Sequence, residues 1–158
     1  MRYHTDLPAD PSIRRILIIK WSAMGDVIIA TALFEDIVQA FPNREIHLDT
    51  QPAWRDLLFA HDPRFQRILT VDWRDHRRRL RQMGDWLRQV RAEHYDLVID
   101  LQCNDRSRLL LSLLWLSGCR IRYRLGNRRQ LPYNIAPDEL PKPAHTLTRS
   151  RAALQAGG

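Results

Sequence analysis

Two short runs govern what this chain can fold into: ILII at Ile16–Ile19 and DLVIDL at Asp96–Leu101. A strand with one wet face alternates apolar and polar residues. A run that is apolar at nearly every position needs cover on both faces, which points to the middle of a parallel sheet.

The intervening segments change period from strand to helix and back. Ala30, Leu33, Phe34, Ile37, Val38 and Phe41 recur at helical spacing, and Pro42-Asn43 ends that helix. Glu45–Thr50 alternates as a second strand, Pro52 opens a short helix reaching Ala60, and Phe65–Val71 reads as a third strand. Asp75–Glu93 reads as an amphipathic helix that lays Leu80, Met83, Leu87 and Val90 on the sheet and points arginines elsewhere. Arg106–Ser117 is a strongly apolar helix with Gly118 placed to cap it, and Ile121 and Tyr123 mark a short fifth strand. Arg124–Pro143 reads as a long loop before a last helix that starts near Ala144. Met1–Ser12, with Pro8 and Pro11, is an irregular leader, so the chain divides into residues 1–13 and a single unit at 14–158.

Strand and helix in strict alternation require crossovers that cover both sheet faces, which is a doubly wound, Rossmann-like α/β fold. With 158 residues there is room for one such core and not two. Sheets of this kind bind ligands beyond the carboxyl ends of their strands. The loops after Lys20 and after Leu101 are therefore where chemistry is expected.

Composition narrows the partners. The net charge is +7, and its arginines concentrate in two stretches, Arg74 to Arg91 and Arg106 to Arg129. Arginine suits phosphate and carboxylate, so an anionic partner is expected, although a solvated basic face reads equally well for the first stretch. Leu109–Leu116, the longest apolar run, is far shorter than the ~20 residues that span a bilayer. The leader has acids and prolines where a secretory signal needs an apolar stretch, which points to the cytoplasm. Cys103 and Cys119 have no metal-ligand spacing and read as reduced thiols.

The first loop is KWSAMGDV, Lys20–Val27. It has neither the glycine pattern of a dinucleotide site nor that of a P-loop. It offers Gly25 for a tight turn, Ser22 as a hydroxyl, and Asp26 at a helix start, where the carboxylate is either an N-cap or a chemical group. The second loop is DLQCNDRSR, Asp100–Arg108. Gln102 and Asn104 read there as amides suited to sugar hydroxyls, with Arg106 beside them, while helix capping by Asn104 or Asp105 is an equally good reading.

Taken together the segments carry a resemblance. The stretch from Arg14 through ILIIKWSAMGDVIIATALFEDIVQAFPNREIHLDT, then YDLVIDLQCNDRSRLLLSLL at Tyr95–Leu114, then HTLTR and AALQAGG from His145 are similar to landmarks of glycosyltransferase family 9, the heptosyltransferases and their relatives. It spans roughly residues 14–158. Cys103 departs from it, standing where the family usually has glycine.

The resemblance implies the N-terminal, acceptor-side half of a GT-B enzyme, whose two Rossmann-like lobes face a cleft. It implies inverting, metal-independent transfer of heptose from ADP-heptose to the lipopolysaccharide inner core, with no cofactor. Asp26 matches the family's catalytic aspartate and is expected to be the general base. Lys20, Ser22, Gly25, Gln102, Asn104 and Arg106 are the expected acceptor contacts. The expected partners are an anionic glycolipid and the inner-leaflet membrane surface, approached from the cytoplasm. The donor-binding C-terminal lobe is expected to be missing from this chain, which would then be inactive alone. Two other readings remain: a non-catalytic remnant or split-enzyme subunit, and a nucleic-acid-binding basic module. The second is disfavoured by the absence of any nucleic-acid motif.

Overall fold

The computed structural model of the chain describes residues 6–137 and 146–158. Its centre is β1 (Arg15–Ile19), which pairs in parallel with β2 (Glu45–Thr50) on one side and β4 (Leu97–Asp100) on the other. β3 (Arg67–Thr70) and β5 (Tyr123–Leu125) complete an all-parallel sheet of order β3-β2-β1-β4-β5. The apolar run 16–19 is fully buried because it meets a core on each face. Ile16 and Ile18 enter one cluster, Leu17 and Ile19 the other.

The first cluster lies under α1 (Met24–Ala40) and α5 (Thr146–Gln155). Phe34, Phe59 and Phe65 meet there edge to face. Phe59 ends α2, which starts as α-helix at Pro52–Trp54 and continues as a π-helical turn over Arg55–Phe59. The second cluster lies under α3 (Arg79–Glu93) and α4 (Asp105–Leu116), where Trp21, Trp73 and Trp86 supply the bulk. Among the described residues no helix is long and apolar enough to cross a membrane.

The departures from the sequence reading have physical reasons. α1 begins at Met24, two residues before Asp26, where the sequence places the helix start, and Met24, Ile28 and Ile29 in its first turns are about half exposed. The described part of the leader is irregular, but Leu7 and Ile13 enter the core, and the Leu7 amide donates to the Gly157 carbonyl at 2.8 Å. Leu80 is corrected outright: it is 83% exposed. It falls in the first turn of α3, just after a 3₁₀ turn at His76–Arg78 whose Arg77 amide is capped by Asp75, and the buried stripe starts a turn later. That stripe is Met83, Trp86, Leu87 and Val90. Gly118 follows α4 at φ +85°, the left-handed cap expected of it. The long loop gives up Arg124 and Leu125 to β5, and its residues 138–143, with the expected helix start at Ala144, lie outside the described residues.

The two α3 positions should therefore separate sharply on mutation. Leu80→Gln is expected to change stability by less than about 0.5 kcal/mol, and Trp86→Ala to cost about 3 kcal/mol or more, both read from urea unfolding.

Candidate active site

The chain winds outward from β1 in both directions, through β2 to β3 and through β4 to β5, so the topology reverses between β1 and β4. At such a switch point the loops from neighbouring strands part and leave a crevice. Here the two loops are Lys20–Ala23 and Leu101–Asn104, the pair singled out by the sequence.

They are tied together by Gln102. Its Oε1 accepts from the amides of Trp21 (3.0 Å) and Ser22 (3.2 Å), and its Nε2 donates to Ser22 Oγ (2.9 Å). The backbone between β1 and α1 thus finds its partners in a side chain from the neighbouring strand. Gln102 is accordingly a positioning group whose amide is already engaged, rather than a free contact for sugar hydroxyls. The Trp21 carbonyl accepts from Trp54 Nε1 at 2.8 Å, and the Trp21 ring packs edge to face on Trp73.

Asp26 occupies the third position of α1, in its first turn. The N-cap is Ala23, and no side chain caps this helix, so the capping role open to Asp26 in the sequence is not taken up. Its carboxylate is half-buried and has no hydrogen-bond or ion-pair partner among the described residues. What remains of a structural role is a favourable interaction with the helix dipole, typically about 0.3–1 kcal/mol. Lys20 is buried, 3% exposed, with its amide on the Asp49 carbonyl. Burial pulls its ammonium below the usual lysine range, and the charges of Asp26, Asp100 and Cys103 oppose that fall, so Lys20 sits among the acids of the site. Gly25 is not needed for a tight turn. A Cβ on it would meet nothing within 4 Å, so the glycine leaves open space beside Asp26.

Asn104 proves to be the N-cap of α4. Its Oδ1 accepts from the Ser107 amide at 2.9 Å, while Ser107 Oγ accepts in return from the Asn104 amide at 3.1 Å. Arg106 is half-buried with its guanidinium 5.3 Å from the Trp73 ring centre, and burial together with the nearby Arg79 charge lowers its pKa. Cys103 has φ +47°, a left-handed conformation that favours glycine. Burial pushes its thiol pKa up, and Sγ donates to the Asp100 carbonyl at 2.7 Å.

Beneath these loops lie residues that the sequence reading did not single out. Asp49 and Asp100 flank Ile19 in register on β2 and β4 and are both fully buried. Asp100 Oδ1 accepts from the amides of Gln102 (2.9 Å) and Cys103 (2.8 Å), and its Oδ2 from the Tyr133 hydroxyl (2.5 Å). Burial raises its pKa. Asp49 Oδ2 accepts from Trp86 Nε1 at 2.6 Å, while Oδ1 and the nearby Trp21 Nε1 fall short of hydrogen-bond geometry. Burial pushes the Asp49 carboxyl up to about 7. Tyr133 reaches Asp100 only because its ring lies against Gly126, where a Cβ would come within 2.4 Å of it. The acid ending the apolar strand Leu97–Asp100 was the available signal for Asp100, whereas Asp49 lies in the alternating strand Glu45–Thr50, whose polar positions carry no mark of burial. Nothing local announced Trp86 or Tyr133, which arrive from distant segments.

An apolar cavity of about 370 Å³ lies elsewhere, between α1, α5 and Leu7-Pro8, and none of these site residues lines it. Among the described residues no three His, Cys, Asp or Glu side chains are grouped as metal ligands would be.

No family model and no curated protein sequence matches the chain. Solved structures do. A glycosyl transferase of family 9 from Veillonella parvula superposes with TM-score 0.74 at 20% identity, over 92% of this chain and 41% of its own. The E. coli heptosyltransferase WaaC superposes with TM-score 0.70 at 24% identity in its complex with ADP-2-deoxy-2-fluoro heptose, over 90% of this chain and 48% of its own. Its complex with ADP gives 0.67 and 25%, over 91% and 47%. This chain has the fold of a family 9 glycosyltransferase. It spans less than half the length of the structures it matches. In this fold the switch-point loops and the helix starts after them carry these residues: Gln102 binds Ser22, Lys20 interacts with the charge of Asp26, Arg106 lies on Trp73, and Asn104 caps α4.

The buried acid beneath these loops makes stability depend on pH. Unfolded, Asp49 ionises near 3.8; folded, near 7. The folded state holds the extra proton between these values, so the stabilisation is complete below 3.8 and is lost as pH rises through 7. Asp49→Asn keeps a neutral acceptor for Trp86, and between about pH 5 and about pH 8 it should gain on the parent by roughly 2 kcal/mol in urea unfolding.

Proposed function

We propose that this chain is the acceptor-side domain of an inverting, metal-independent glycosyltransferase that moves heptose from ADP-heptose to a lipopolysaccharide inner core, with Asp26 as general base. The carrying observation is that Asp26 has no hydrogen-bond or ion-pair partner among the described residues and stands in the first turn of α1, just after the switch-point loop that Gln102 ties. A carboxylate serving as a helix cap would accept from an amide of the first turn, and this one does not.

In this reading Asp26 takes the proton from an acceptor hydroxyl as that oxygen attacks the sugar's anomeric carbon. The bond from that carbon to the diphosphate breaks, and ADP leaves with the electron pair. A positioned base of this kind contributes about 10²–10⁴-fold. Lys20 lies beside the acids, Gly25 leaves room for the acceptor, and Arg106 on its tryptophan shelf presents a cation to an anionic acceptor. The bound molecules named for WaaC, ADP and its fluoro-heptose derivative, support the choice of donor. The donor would be held by a second lobe, so the 158-residue chain alone is expected to fold and not to turn over. An acceptor of this class would bring the domain to the cytoplasmic side of the inner membrane as a peripheral protein.

In a protein that joins this domain to a donor lobe, Asp26→Asn should keep the parent's melting temperature and lower kcat by about 10²-fold or more. Turnover within about threefold of the parent would remove Asp26 from the chemistry. Gly25→Ala tests the open space: helix propensity should leave stability equal or higher by up to ~1 kcal/mol, while transfer falls because the new methyl stands where the acceptor approaches. Steady-state kinetics beside a thermal melt separates the two effects.

A further inference from the structure

The positive charge of this chain is concentrated. Residues 74–93 hold seven arginines against three acids, and residues 105–120 hold three against one, so these stretches account for six of the seven net charges. The fold sets them side by side, because α3 and α4 cover the same face of the sheet. Arg79 lies near Arg106 at one end of the pair and Arg91 near Cys119 at the other, so the helices run parallel. Arg77, Arg81, Arg91 and Arg120 are exposed and have no ion-pair partner among the described residues.

Beside these charges α4 does not present the polar outer face of an ordinary surface helix. It turns Leu110, Leu111 and Leu114 into the core, yet leaves Leu109 51%, Trp115 41% and Leu116 71% exposed. Leu109, Leu113 and Leu116 follow at spacings of four and three, which lines them along one side of the helix. Water-facing leucines on a helix, next to unpaired guanidinium groups, meet two different needs in one surface. A protein partner would have to match each free arginine with a placed carboxylate, since a buried unpaired charge is costly. A lipid surface meets both needs without such matching: phosphates lie anywhere in its plane, and an acyl layer lies just beneath. Trp and Leu beside arginines are the residue types that settle at that boundary.

We propose that the α3–α4 face docks on an anionic bilayer, with Leu109, Trp115 and Leu116 entering the acyl boundary and the arginines lying on lipid phosphates. Arg106 opens α4 one turn before Leu109, so docking by this face carries the mouth of the crevice to the membrane surface. The proposal goes beyond the catalytic reading and does not depend on Asp26; an inactive Asp26→Asn protein should dock as well as the parent.

The test uses the 158-residue chain with phosphatidylcholine vesicles, with and without phosphatidylglycerol. Binding should need the anionic lipid. Arg77→Gln/Arg81→Gln/Arg91→Gln should weaken it by at least about tenfold, since each basic side chain near such a surface adds a several-fold preference. Leu109→Gln/Leu116→Gln should also weaken it by about tenfold, through lost apolar burial, at an unchanged melting temperature. Brominated acyl chains should quench tryptophan fluorescence in the parent and much less in Trp115→Phe, a comparison that decides the matter even if the leucine variant folds poorly. The proposal is overturned by undiminished binding of the leucine variant, or by quenching that Trp115→Phe leaves intact. It is equally overturned by oligonucleotides displacing the chain from vesicles at matched phosphate, or by a dimer in solution that the leucine substitutions dissolve.

Discussion

Everything in this molecule is arranged around the burial of β1 on both faces and both edges. A strand so enclosed has no water for its backbone, and its pairing with β2 and β4 satisfies that need. The difficulty moves to the point where the chain leaves the sheet. There the Trp21 and Ser22 amides have no strand to bond, and the Gln102 side chain serves them instead. The crevice exists because strands part at this place, and it keeps a defined shape because a side chain from β4's loop closes the gap.

Below the crevice the structure accepts unfavourable burial. Two acids are enclosed beside Ile19, and each is met by hydrogen-bond donors rather than by a cation: Asp100 by two amides and Tyr133, Asp49 by Trp86. Burial is the larger influence and favours the neutral carboxyl, which is the direction both take. Above them Asp26 is left partly in water with nothing bonded to it. The contrast between tied, proton-favouring acids underneath and a free carboxylate in the first turn of α1 is the electrostatic pattern that sets Asp26 apart.

The same division between tied and free groups recurs on the outside. Arg15, Arg64 and Arg67 are held by acids of neighbouring segments, whereas several arginines of α3 and the α4 C-terminal side have none among the described residues. Charges that contribute little to folding are available for partners, and they gather on the side of the sheet that also exposes leucines. The crevice and this face meet at the start of α4, where Arg106 rests on Trp73.

The sequence by itself determined the strand-helix order, the parallel sheet and the two loops that would face a ligand, because unbroken apolar runs and helical periods are local patterns. It also pointed to Asp26 and to the left-handed cap at Gly118. The tertiary structure alone decided what each loop residue does. Whether Gln102 meets a ligand or a backbone depends on Trp21 and Ser22, some eighty residues away. Whether Asn104 caps and Asp26 does not depends on where each helix starts. Leu80 fits the helical stripe of Met83, Leu87 and Val90 and is exposed, while Trp86, outside the stripe read from the sequence, is buried. Periodicity records which way a side chain points along its own helix; what stands opposite it is set by segments distant in sequence, and that is information no local pattern contains.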